Sequence, residues 1–198
     1  MAELDRDRIA AAALAVADKH GLSGFTMRAV AKALGVTPMA LYHHVEDKAA
    51  LARLVVDAAI RERPLPPPTG VWQDDLWAMA RWMRESTAAH PVVAQIRRAY
   101  AVWTPASLEM TERWLSLWRQ SGLTPDKALT AASASSLAIV GMVEEEAVFA
   151  QLRRPRPDAL FRRPGAREMF NTRHDRDAEF ELLVRSLIEG LQARLARA

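Results

Sequence analysis

Apolar side chains along this chain recur at intervals of three and four positions. Ile9, Ala13 and Val16 make one stripe, and Val30, Leu34, Val36, Leu41, Val45, Leu51 and Leu54 supply the next. Trp72, Leu76, Met79 and Met83 follow, then Leu108, Thr111, Leu115 and Trp118, and last Phe180, Leu183, Leu187, Leu191 and Leu195. An α-helix returns side chains to one face at that spacing, whereas a half-buried strand alternates every second residue. No convincing alternation occurs, so the pattern predicts an all-α fold, and no internal repeat is evident.

The residues between stripes mark where helices start and stop. The first helix is expected from about Asp5 to His20, with Gly21 at its C-terminal stop. Thr26 can cap a second helix, Gly35 permits a turn, and Thr37 caps a third whose first position is Pro38, where a missing N–H does no harm. A fourth runs from about Asp47 to Arg63, and Pro64-Leu65-Pro66-Pro67-Pro68 ends it in a stiff extended linker. The expected organisation is therefore residues 1–63, a linker over 64–70, and a second helical domain over 71–198. In that domain His90-Pro91 breaks one helix and leads into a short one over about Val92 to Ala101. Thr104-Pro105 opens another, closed by Gly122, and Thr124-Pro125 opens a long helix reaching about Ala150. A Pro/Arg-rich segment from Gln151 to Arg173, with room for one short helix, separates it from a last helix over about Asp175 to Arg197.

Composition narrows the function classes. The 198 residues, half of them apolar, suit one large or two small globular domains. The absence of cysteine excludes disulfides and thiolate metal sites. A net charge of +3 says little about nucleic acid on its own, because residues 1–63 carry nine Lys/Arg against eight acids while 152–167 carry six arginines against one acid. Any claim of DNA binding must rest on individual side chains. The longest apolar-leaning run, about Ala128 to Val143, is laced with Ser and Thr and is too short to span a bilayer. The first residues carry acids where a secretion signal would be basic and then apolar. A cytoplasmic protein without a membrane partner is expected.

Residues 26–54, TMRAVAKALGVTPMALYHHVEDKAALARL, hold the most chemistry. Two short helices joined through Leu34-Gly35-Val36, with a further helix opening near Asp47, outline a helix-turn-helix whose second helix is sized for a DNA major groove. Once the apolar residues are assigned inward, with small Ala31 allowing close approach, Thr37, Pro38, Met39, Tyr42 and His43 remain on the outer face of that helix. Met39 can touch a thymine methyl and His43 can bond to base edges. Tyr42 and His44 are placed for phosphates, as are Lys48 beside a helix N-terminus and Thr26 and Arg28 at the start of the second helix. Adjacent His43 and His44 point apart on a helix, which argues against a shared metal. Neither a Ser/His/Asp arrangement nor an HExxH pattern occurs, so no catalytic residues, metal or cofactor are assigned.

The stretch Ala40-Leu41-Tyr42-x-His44 followed by Lys48 and Leu51 resembles the DNA-binding domain of the TetR family of transcriptional repressors. The long helix beginning Gly122-Leu123-Thr124-Pro125 and the last helix resemble the family's dimerisation bundle, in the layout of the tetracycline-repressor branch. The resemblance does not extend to that branch's magnesium-tetracycline ligands. It implies a homodimer that occupies palindromic double-stranded operator DNA until a small-molecule effector, of unknown identity, binds the C-terminal domain. It also implies an effector pocket, for which Trp82, Trp103, Met110, Trp114 and Met142 are the candidates. The Ala/Ser-rich helix and the leucine ridge point to a dimer interface through Ala131, Ser135, Ala138, Phe180, Leu183, Leu187 and Leu191.

Blander readings stand beside these. Most Trp and Met side chains in a helical protein are core, and both long helices could bury within their own domain. Glu144-Glu145-Glu146 could face a cationic ligand or form a solvated face, and the arginines of 153–167 could form a surface loop. The rival functions are a helical small-molecule binding protein without sequence-specific DNA binding, an enzyme using those glutamates as acid and base, and an activator or architectural DNA-binding protein.

Overall fold

The computed structural model describes residues 4–152 and 175–197, with side chains described over 4–146 and 175–197. The expected Pro/Arg-rich segment, including the arginines of 153–167, lies outside the described residues. Among the described residues there are nine helices and no strand: α1 Arg6–Gly24, α2 Met27–Leu34, α3 Pro38–Tyr42, α4 Lys48–Arg61, α5 Trp72–Ala89, α6 Pro91–Tyr100, α7 Pro105–Gln120, α8 Pro125–Leu152 and α9 Arg176–Arg197. No helix among them is long and apolar enough to cross a membrane.

Each helix of the N-terminal region starts on a side-chain cap. Asp5, Thr26, Thr37 and Asp47 accept the N–H groups of Arg8, Ala29, Ala40 and Ala50 at 2.8, 3.1, 3.2 and 2.6 Å. Three of these starts also carry apolar residues immediately before the cap and four positions after it, Leu4 with Ile9, Phe25 with Val30, and Val36 with Leu41. All six belong to or pack against the head's core, as a hydrophobic staple requires. Gly21 (φ 67, ψ −174) breaks the helical path of α1 before its last residues, and Gly35 (φ 70, ψ 28) closes α2 in the left-handed region while its N–H reaches the carbonyls of Ala31 and Lys32. A Cβ would strain both positions.

The structure forms two compact units: residues 1–67 with 85–114, and residues 68–84 with 115–198. The chain first leaves unit 1 after Pro67, within the proline stretch, and returns at Glu85. Residues 85–114 thus pack with the N-terminal head, although the sequence assigned them to the second domain. The physical reason is α6. Its Val92 and Ile96, with Val102 beyond its end, join Ile9, Phe25, Val30, Leu41, Leu51 and Val55 in one core. It packs on α1 and α4. Its first residue lies near the end of α4 and its last near the start, so the two run antiparallel, as the contacts of His90 with Glu62 and of Tyr100 with Lys48 show.

Unit 2 joins α8 to α9 and the start of α5. Trp118 is fully buried, lies 6.0 Å from Trp72, and donates its indole N–H to Ser135 at 3.1 Å. Arg84 ties three helices together: two bonds of 2.9 Å to the Glu146 carboxylate, one of 2.7 Å to Asp177, and its guanidinium stacked 4.7 Å from the Phe180 ring. Glu146 is therefore paired within unit 2, which removes it from the carboxylates available to a cationic ligand. On α7 the buried side comprises Ser107, Trp114, Leu117 and Trp118; of the face expected through Leu108, Thr111, Leu115 and Trp118, Trp118 is buried and Leu115 half-buried, whereas Leu108 and Thr111 are exposed. Leu108 is exposed because Ser107 turns inward to complete the helix cap, exchanging hydrogen bonds with Thr104.

Candidate nucleic-acid interface

The helix-turn-helix separates its two faces within five residues. Leu41 is fully buried, while Met39 is 67 % and Tyr42 46 % exposed on the same short helix. Thr37, Pro38, His43 and His44 are exposed as well. Met39 and Tyr42 are three apart and so share a side. His43 caps the C-terminal end of α3, its N–H directed to the Met39 and Leu41 carbonyls, and His44 follows in the turn. Large apolar side chains are not left in water on a five-residue helix for stability. A partner presenting both apolar methyls and polar edges fits them, and a major groove offers both.

The flanking groups lie at helix starts. Thr26 is occupied in capping α2, and Arg28 is exposed one residue into that helix. Helix N-termini bear partial positive charge and unsatisfied N–H groups, which suits phosphate. Lys48 is the first residue of α4, and its ammonium lies over two aromatic rings, 5.7 Å from the Phe25 centroid and 5.5 Å from that of Tyr100.

Two further contacts hold α4, on whose N-terminal side α3 sits. His90, which starts α6, places Nδ1 2.6 Å from Asp18 of α1 and Nε2 2.7 Å from Glu62 beyond α4. Burial alone would push its pKa down, but the bonds to Glu62 and Asp18 and their negative charge outweigh burial and raise it. Asp57 accepts the Ala106 N–H at the start of α7 at 3.0 Å and the Arg61 guanidinium at 2.8 Å. Burial would raise its pKa; the bonds from Ala106, Arg61 and Thr104 prevail and hold it below the ordinary carboxylate value.

The candidate effector residues are divided between the units. Trp82 (buried) and Met142 (half-buried) belong to unit 2; Trp114 (buried), Met110 (half-buried) and Trp103 belong to unit 1. Trp103 is 59 % exposed, so it is no part of a core. The interface candidates also separate. Ala131, Ser135 and Phe180 are buried inside their own chain, Ser135 by its bonds to Trp118 and the Ala131 carbonyl and Phe180 by Trp77 and Arg84. Ala138, Leu183, Leu187 and Leu191 are half-buried. Among the described residues of α8 and α9, the large apolar side chains left exposed are Leu129, Leu137 and Leu182, at 54, 76 and 70 % exposure.

The sequence did not single out Phe25 or Tyr100, and it offered His90 only as a helix end or a hinge. Phe25 had a readable signal, the staple position before Thr26. Tyr100 and His90 had none, because their partners lie 52 and 28 to 72 residues away in the chain.

Comparison with known proteins identifies the family. The profile of bacterial regulatory proteins of the tetR family matches residues 9–55, and that of the tetracyclin repressor-like C-terminal domain matches residues 63–195. The chain belongs to the TetR family of transcriptional regulators. It is 30 % identical over 201 residues to the tetracycline repressor protein class E of Escherichia coli, covering 98 % of this chain and 94 % of that one. It is 35 % identical over 130 residues to the HTH-type transcriptional repressor DrrR1 of Streptomyces coeruleorubidus; that match takes in 65 % of this chain and about half, 48 %, of the relative's length. Among solved structures it resembles the TetR family protein ActR of Streptomyces coelicolor in complex with (S)-DNPA, with a TM-score of 0.75, 30 % identity and coverage of 98 % and 99 % of the two chains.

Proposed function

We propose that the protein is a ligand-responsive repressor that binds palindromic operator DNA as a homodimer and leaves it when a small hydrophobic effector binds. The observation that carries this reading is the outer face of α3, where Met39 and Tyr42 stand exposed on a helix whose Leu41 is fully buried. In this reading Met39 and His43 meet base edges, with Thr37 and Pro38 beside them. Thr26, Arg28, Tyr42, His44 and Lys48 meet phosphates. Two copies of α3 then enter successive major grooves about 34–36 Å apart.

The exposed Leu129, Leu137 and Leu182 supply an apolar surface for the second copy, with the half-buried Ala138, Leu183, Leu187 and Leu191 around them. Repression and release by a ligand draw support from the relatives, two of which are named repressors and one of which was solved with a small molecule. Trp82 and Met142 of unit 2, and Trp103, Met110 and Trp114 of unit 1, remain two separate sets of candidates to meet the effector. By linkage, the effector weakens operator binding by the factor by which the operator weakens effector binding. Such a protein works beside the chromosome, in the cytoplasm, and the reading assigns it no catalytic step.

Selection from a random pool of duplex DNA with the purified protein, near physiological salt, tests the proposal. The expected result is a palindrome. Retention that merely falls with salt, without sequence enrichment, would mean phosphate contact only and would overturn the operator-reading assignment.

A further inference from the structure

Lys48 occupies an electrostatically odd position. It is the first residue of α4, where the helix end already bears partial positive charge. Its ammonium is held there by two ring faces, Phe25 just before α2 and Tyr100 at the last position of α6. The rings meet edge to face with centroids 6.3 Å apart, so they form one aromatic corner. Ring faces attract the charge but do not consume strong N–H donors, of which an ammonium has three. The lysine stem is thus ordered in advance, while donors remain for an anion drawn to the same helix start.

We propose that Tyr100 is a positioning residue for a phosphate contact made by Lys48, so that α6 acts on the DNA face through this one ammonium. The inference rests on the reading of Lys48 as a phosphate ligand. Tyr100 is followed by Ala101, a non-glycine residue in the left-handed region (φ 48, ψ 40) that stops α6 at that point. Any displacement of the last turn of α6 carries the ring away from the ammonium, and the ordering of Lys48 goes with it. The α6 helix thereby touches the DNA-binding head through chemistry as well as through packing.

The test uses the full chain and random-sequence duplex DNA, with affinity measured across a range of salt. Lys48→Ala is expected to weaken binding roughly two- to tenfold and to lower the log–log salt slope by about one per subunit bound. Tyr100→Leu should reproduce both changes, Tyr100→Phe should keep wild-type behaviour, and the double variant Lys48→Ala/Tyr100→Leu should be no weaker than Lys48→Ala. Additive losses, or a weaker Tyr100→Leu with an unchanged slope, would mean that the ring only supports the fold. An unchanged Lys48→Ala would remove the phosphate assignment and the inference with it, whereas loss of the whole DNA-binding reading would show as unchanged protein that does not bind DNA at all. A measurement without substitution keeps the proposal open to refutation if Tyr100→Leu does not fold. The ring-current shift of the Lys48 methylenes should persist when duplex DNA is bound; its disappearance would mean that the rings store the lysine away from DNA.

Discussion

Two exposed faces among the described residues, one on α3 in the head and one on α8 and α9, differ in the partner they suit. On α3 the exposed set mixes a thioether, a phenol, imidazoles and a hydroxyl around helix starts that attract anions. On α8 and α9 the large apolar side chains left exposed are leucines, at positions 129, 137 and 182, among polar and charged residues such as Thr130, Glu181 and Arg185. A thioether, a phenol and imidazoles beside helix starts suit a groove of bases edged by phosphate, whereas exposed leucines with a polar surround suit the apolar centre and polar rim of a protein interface. The lesson is that identity of the exposed residues discriminates partners where mere exposure does not.

Breaking the comparison begins inside the head. Leu41→Ala, at a fully buried position, should cost about 2–5 kcal/mol of unfolding free energy. Exposed Met39→Ala, two residues away, should leave thermal stability within about 0.5 kcal/mol. Equal melting shifts for the two would contradict the assignment of faces. Next, Leu137→Glu with Leu182→Glu should weaken self-association at least tenfold, or more than about 1.4 kcal/mol, seen as monomer in sedimentation with helicity retained. An unchanged sedimentation coefficient would place the dimer elsewhere. Thr37→Ala should lower stability by about 1 kcal/mol through loss of the α3 cap, and Thr37→Asp, another good cap, should restore the melting temperature.

The smallest effect concerns His90. Its folded-state pKa is raised above the ordinary 6.5, so its bridge to Asp18 and Glu62 contributes fully below that value. The contribution is lost as pH rises through the higher, folded-state pKa. The bridge is partly solvated, and its worth is about 1 kcal/mol or less. Melting curves of wild type and His90→Gln across pH 5 to 9, on the order of the range where imidazole titrates, should converge at the alkaline end and separate at the acid end. Parallel curves would sink the bridge as a stabilising contact.

Local signals made most of the helices legible. Caps at Asp5, Thr26, Thr37 and Asp47, prolines at 38, 91, 105 and 125, and glycines at 21 and 35 all act within a few residues of themselves. What sequence could not convey was tertiary. Nothing local reveals that α6 packs with the head, because Val92 and Ile96 would make an apolar stripe against any neighbour. The α7 face was only partly legible: Trp118 is buried as its spacing suggests, but at the helix start the polar Ser107 is the buried residue and apolar Leu108 the exposed one. Small residues such as Ala131 and Ser135 permit close approach within a chain as readily as between chains, and here Trp118 takes the space. On the DNA face, the residue types on α3 were readable, whereas the aromatic corner around Lys48 needed the fold.

The central claim, that α3 reads base sequence, is tested most directly by repeating the random-duplex selection with Met39→Ala beside the wild type. The account predicts a palindrome in both, with relaxed or altered preference at one position in each half-site of the variant. An identical base preference at every position would contradict it.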